Sequence, residues 1–194
     1  DIGTDAIKIG MLSNEKIIHC VAKIISIFNK KIPIVLDPVM VAKGGHKLLD
    51  IGAEKALINE LMPLCTIITP NIPEAEVITG SKINNINDLE KMGKSIIKMG
   101  IDNVLMKGGH LDSDILTDIL ITRENTEYFE SKKIITKNSH GTGCTLSSAI
   151  ACGLGQQLSL KESINRAHKY VYKSILNAPN IGKGNGPLNH LIKV

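Results

Sequence analysis

Short β-branched runs alternate along this chain with longer amphipathic stretches. Ala6 to Gly10, Ile34 to Asp37, Thr66 to Thr69 and Asn103 to Lys107 read as strands, each flanked by apolar residues at helical spacing. Alternation of this kind predicts a mostly parallel sheet covered by helices on both faces. Capping residues locate the helices. Ser13 opens one that ends near Lys30, Asp50 opens one that reaches Leu61, and the pairs Asn87 with Glu90 and Ser159 with Glu162 have capping-box spacing. After Gly109 the pattern changes to successive strands, Asp118 to Thr122, Glu127 to Phe129 and Lys133 to Ile135, a meander that ends the sheet antiparallel at one edge. A small-residue helix then runs through Leu158 and another spans Leu160 to Leu176. The Gly- and Pro-rich tail from Gly182 to Pro187 is a loop.

With no linker, repeat or low-complexity stretch, the 194 residues read as one domain, long enough to bury a real core. The net charge of +4 comes without a run of five like charges, so it suits an anionic small ligand as well as a nucleic acid. Aromatics at 3% and no Trp leave few platforms for stacked bases, which removes a single-strand nucleic-acid binder. No apolar stretch approaches the roughly 18 residues that a membrane span needs. The four cysteines are scattered without a Cys-x-x-Cys pair, as expected of reduced thiols in a cytoplasm. Cys20, Cys65 and Cys152 read as small buried hydrophobes. The apolar run from Val21 to Ile27 reads as core before interface, with a homodimer left open. The first residues run straight into a strand without an initiating Met, so the natural start is expected upstream.

In an open parallel sheet, ligands bind beyond the carboxyl ends of the strands. Asp37-Pro38, Thr69-Pro70-Asn71-Ile72-Pro73-Glu74 and Lys107-Gly108-Gly109-His110 stand at those ends. Any one of them also reads as a plain turn, but three on one rim point to a site. The sharpest feature is Gly141-Thr142-Gly143-Cys144 leading into a helix. Glycines there let the backbone approach a ligand, while free amides and the positive helix end hold an anion. A tight strand-to-helix turn would use the same glycines. Cys144 is expected as the first helical residue. Gly93-Lys94-Ser95 lacks the glycine a phosphate loop requires, since Asp88 occupies that position, and it falls in mid-helix. Zinc on Cys144 and His140 would be two ligands short.

These segments resemble the hydroxymethylpyrimidine/phosphomethylpyrimidine kinases of thiamine biosynthesis, a branch of the ribokinase-like superfamily. The resemblance runs in order through Lys8-Ile9-Gly10-Met11-Leu12, Val35 to Gly45, Thr69-Pro70-Asn71, Pro73-Glu74-Ala75-Glu76, Lys107 to His110 and His140 to Ser147. Cys144 stands where ribokinase-like enzymes usually carry Asp, a feature that points to the pyrimidine kinases and some pyridoxal kinases. The resemblance implies an α/β fold, a ribokinase-like three-layer α/β/α domain with its N-terminal strands missing from this chain. It implies ATP as co-substrate with Mg²⁺ and a small pyrimidine as acceptor. It assigns Gly141, Thr142 and Gly143 to the anion hole, Cys144 to the acceptor oxygen, Asp37 and Glu74 to magnesium, and Asn71 and Lys107, with Thr142, to ATP. Met11 and Val39 would line the pyrimidine pocket. Pyridoxal kinase is the alternative within the superfamily, and a silent ligand-binding fragment the alternative outside catalysis.

Overall fold

The computed structural model describes residues 1–28, 31–40, 48–109 and 114–193. Six strands form one sheet in the order β1-β2-β3-β4-β5-β6, which is also their order in the chain. β1 (Ile7–Ile9), β2 (Ile34–Leu36), β3 (Ile67–Ile68) and β4 (Asn103–Met106) pair in parallel. β5 (Ile115–Thr122) and β6 (Thr126–Lys132) then run antiparallel, as the meander predicts.

A parallel sheet that grows always in one direction, joined by right-handed crossovers, puts all its connecting helices on one face. Here these are α1 (Glu15–Ser26), α2 (Ile51–Ala56), α3 (Ile72–Thr79) and α4 (Ile86–Lys98). The pleat sorts the side chains accordingly. Ile34, Leu36, Ile68, Val104, Met106, Ile119 and Ile121 pack with Ile18, Ile25, Leu57, Leu89 and Ile96 in one core cluster. The alternate residues Val35, Ile67, Leu105, Leu120 and Phe129 face the other way, against α5 (Thr142–Gly155) and α6 (Leu160–Leu176) through Leu146, Ile150, Ile164, Ala167 and Val171. The two C-terminal helices thus supply the third layer that the crossovers leave uncovered, and α5 brings its N-terminus to the sheet.

Several boundaries depart from expectation. The N-cap of α1 is Asn14, whose Oδ1 accepts from Ile17 N, and Ser13 stands one residue outside. The expected end near Lys30 lies outside the described residues, and α1 itself closes at Ser26. The cap of α4 is Asn85, answered by Asp88, two residues before the Asn87 and Glu90 pair. Asp50 does cap α2, which runs on through a π turn at Leu57–Leu61 and a 3₁₀ turn at Met62–Leu64. The Ser159 and Glu162 capping box forms as expected. Lys133 to Ile135 adds no strand, because the chain leaves the sheet after Lys132 and Ile135 is fully in solvent. Of the cysteines expected inside, only Cys65 is buried, while Cys20 and Cys152 are exposed. The Val21 to Ile27 run is divided: Ala22 and Ile25 are core, and Ile24 and Ile27 are exposed. Among the described residues no helix is long and apolar enough to cross a membrane.

Candidate active site

Parallel register carries β1 to β4 to a common rim, and the pairing persists just past the strands. Asp37 N donates to Ile9 O at 2.9 Å, Thr69 N to Leu36 O at 2.9 Å, and Lys107 N to Pro70 O at 2.9 Å. Asn71 and Lys107 form an isolated bridge. Asp37, Asn71 and Lys107, distant in sequence, are therefore set side by side by backbone alone.

Their side chains continue the arrangement inward. Lys107 Nζ stands 2.8 Å from Asp37 Oδ1, with Lys107 13% and Asp37 3% exposed. Thr69 Oγ1 donates to the same Asp37 oxygen at 3.3 Å. Burial works against the Lys107 ammonium, yet the carboxylates of Asp37 and Glu74 outweigh it and hold its pKa above the usual lysine value. A buried lysine kept charged in this way is a fixed cation, ready to meet an anion at the rim.

Glu74 is buried for a local reason that the sequence reading missed. Asn71 is the N-cap of α3 and Glu74 its third residue, and the two form a capping box: Asn71 Oδ1 accepts from Glu74 N at 3.0 Å, and Glu74 Oε2 accepts from Asn71 N at 2.8 Å. The Asn-x-x-Glu spacing was signal enough, and the flanking prolines made it look like rim loop alone. Burial pushes the Glu74 carboxyl up to about 7, against the opposing pull of Lys107 and the Asn71 amide.

α5 meets the rim differently. Gly141 is its N-cap in the left-handed conformation at φ +84°, and among the described residues no side chain caps the helix. An L side chain is strained there, which is why glycine holds the position. Cys144 is the third helical residue, two later than expected, and is exposed. Thr142 turns its hydroxyl to Ser139 O at 2.9 Å, pinning the turn. The helix start lies against the strand tips: a Cβ built on Gly143 would stand 3.2 Å from Lys107 Nζ and 3.7 Å from Asp37 Oδ2. The turn, the lysine and Asp37 therefore form one locus.

Met11 lies two residues beyond β1 and is exposed, and Val39, three beyond β2, is partly buried, so both sit past the tips of neighbouring strands. Val41 to Gly45 and His110, parts of the motifs, fall outside the described residues. Gly93-Lys94-Ser95 is in the middle of α4, with Gly93 buried, as expected of a helix interior and not of a phosphate loop.

The chain matches the sequence model of the Phosphomethylpyrimidine kinase family over residues 1–189. It belongs to that family. A thiamine biosynthesis bifunctional protein, ThiED, of Geobacter sulfurreducens is 42% identical over 192 residues, 99% of this chain and 39% of that protein. A hydroxymethylpyrimidine/phosphomethylpyrimidine kinase of Staphylococcus aureus is 40% identical over 187 residues, 95% of this chain and 67% of that protein. The chain thus spans well under half of the first relative and about two thirds of the second. Among solved structures, the ADP complex of Bacillus subtilis pyridoxal kinase superposes with a TM-score of 0.90 at 36% identity, covering 97% of this chain and 71% of that one. The fold is ribokinase-like, and the family is one of phosphotransferases.

Proposed function

We propose that this chain carries the phosphoryl-transfer centre of an ATP-dependent cytoplasmic kinase for hydroxymethylpyrimidine and its monophosphate. The observation that carries this reading is the approach of the uncapped α5 start to the buried Lys107 and Asp37 pair. Phosphoryl transfer needs positioning and charge neutralisation more than covalent help, and amides at a helix start together with a fixed ammonium supply both. The amides of Gly141, Thr142 and Gly143 would hold the migrating group, with Lys107 and Asn71 on the ATP phosphates. Cys144, exposed on the same turn, would face the acceptor oxygen, and Met11 and Val39 would line the pyrimidine.

Magnesium fits the donor set in a limited way. Asp37 and Glu74 are two carboxylates at neighbouring tips, each with one oxygen already bonded within the protein, and no group of three His, Cys, Asp or Glu that could hold an ion occurs among the described residues. That suits an ion delivered with its nucleotide, held by one or two carboxylates plus phosphates. Such an ion would neutralise charge on the phosphates. The buried Glu74 carboxyl would be kept ionised beside it.

The pyridoxal reading has its own support in the structural likeness to a pyridoxal kinase, whereas the sequence relatives at 40 to 42% carry pyrimidine-kinase and thiamine names. The deciding experiment offers hydroxymethylpyrimidine, its monophosphate and pyridoxal in turn with ATP and magnesium. Phosphorylation of both pyrimidines in preference to pyridoxal is expected. Turnover of pyridoxal alone would transfer the site to the alternative. Cys144→Ser then separates positioning from proton transfer, since a loss beyond about 10² to 10⁴-fold would mark a true base.

A further inference from the structure

Lys107 owes its place to more than Asp37. Lys107 follows the last residue of β4, and next to it Gly108 presses so hard on β5 that a Cβ there would fall 2.0 Å from Thr117 O. Gly108 is buried, and its amide is beyond the last paired residues of β4 and β5, Met106 with Ile119. A buried amide without an acceptor is strongly unfavourable. The acceptor is a side chain, Asp118 Oδ1, at 2.9 Å. Asp118 is itself buried, 3% exposed, and its second oxygen lies 3.2 Å from His168 Nε2 on α6. That approach is off-line for a hydrogen bond, and Nε2 has no other partner among the described residues. The imidazole is further held against the Phe129 ring, centroids 5.7 Å apart.

From these contacts we infer that Asp118 and His168 are positioning residues for phosphoryl transfer: they fix the Gly108 amide, and through it the direction in which Lys107 reaches the rim. The inference rests on the kinase reading for the role of Lys107. Neither residue belongs to the motifs of the rim, and neither reaches it. Their chain of contact runs from α6 through β5 to the residue beside Lys107, and from Lys107 to Asp37 and the α5 start. Asp118 also adds its negative charge to those that favour the Lys107 ammonium.

The test titrates ATP with magnesium into Asp118→Ala, Asp118→Asn and His168→Gln, and measures KM for ATP and for the pyrimidine separately. A misplaced charge near the reacting group can cost about 10²-fold, so Asp118→Ala should weaken ATP binding about tenfold or more while the pyrimidine KM stays within about twofold. Asp118→Asn, whose carbonyl still accepts the Gly108 amide, should restore ATP affinity to within about threefold of the parent, and His168→Gln should fall between the two. A general structural role would raise both KM values together, and that result overturns the inference. So does an Asn variant as weak as the Ala variant, or a folded Ala variant with parental ATP affinity. If Asp118→Ala fails to fold, His168→Gln decides: unchanged ATP affinity refutes the role and a selective loss supports it. A parent that binds ATP yet phosphorylates no pyrimidine sinks the functional reading alone, because ATP dissociation constants from the titration, weakest in Asp118→Ala and restored in Asp118→Asn, report on Lys107 without turnover.

Discussion

Helices α3 and α5 start at the same rim of the same sheet, and they meet it in opposite ways. α3 satisfies its first amides with its own side chains, Asn71 and Glu74 in a reciprocal box. α5 begins on a glycine and satisfies none of them that way. A glycine N-cap forgoes only a few tenths of a kcal/mol relative to a side-chain cap, and it leaves the first amides free to meet an anion. The comparison separates two uses of one local structure: at α3 the helix end organises acidic groups, and at α5 it presents amides. Lys107 and Asp37 stand between them.

Breaking that central pair should have the largest effect. Lys107→Met removes the cation and leaves Asp37 buried and unpaired, which costs about 3–5 kcal/mol. Urea denaturation should show the loss, and adding Asp37→Asn should recover most of it. A Lys107→Met protein as stable as the parent would mean that the pair contributes nothing to the rim. Next comes the bare helix end. Gly143→Val places a branched side chain against Lys107 Nζ, so kcat/KM should fall about 10² to 10³-fold, the scale of losing one amide donor, with the fold retained by circular dichroism. Full activity in that variant would remove the α5 start from the chemistry.

The Glu74 end of the comparison is sharpened by pH. Its folded pKa of about 7 lies above the unfolded value of 4.5. Between the two the native state binds more protons than the unfolded chain, so stability falls as pH rises through this window and the loss is complete above it. The separation corresponds to about 3 kcal/mol at most. Glu74→Gln keeps the cap, since Gln also closes a capping box. In chelator-treated protein without nucleotide the variant should match the parent at pH 4 and exceed it at pH 8. A parallel pH profile for the two proteins would show that Glu74 titrates normally.

The strands were readable because β-branched runs between helical stretches leave little choice, and the parallel-to-antiparallel change followed from the shortened spacing after Gly109. Caps were readable only to within one or two residues. Asn14 stands next to Ser13 and Asn85 two before Asn87, and which polar residue caps depends on where the apolar face must land: Leu89, Met92 and Ile96 fix the phase of α4. Cys20 and Cys152 looked like core because their helices are apolar, but exposure there is set by what packs on the far side. The rim residues were identified by their place after strands, whereas the contacts between them were not. The Lys107 to Asp37 pair joins positions 70 apart, and the link from His168 to Gly108 crosses two strands and a helix, so both exist only once the register does.

The smallest expected effect is also the one that discriminates best within α3. Asn71 uses Oδ1 for the Glu74 amide, which leaves its Nδ2 donor for a ligand. Ser159 caps α6 in the same kind of box, well exposed, and serves as the control. Asn71→Ala and Ser159→Ala should each cost about 1 kcal/mol, the usual price of a cap, and lower Tm by about 2–4 °C in a chain of this size. Asn71→Asp is the informative change, because Asp caps as well as Asn but has no amide donor and brings a negative charge toward phosphate. It should melt with the parent and bind ATP several-fold more weakly, an effect that Ser159→Ala lacks. If Asn71→Asp bound ATP as the parent does, Asn71 would be a cap and nothing more, and α3 would contribute to the site only through the carboxylate that its box holds in place.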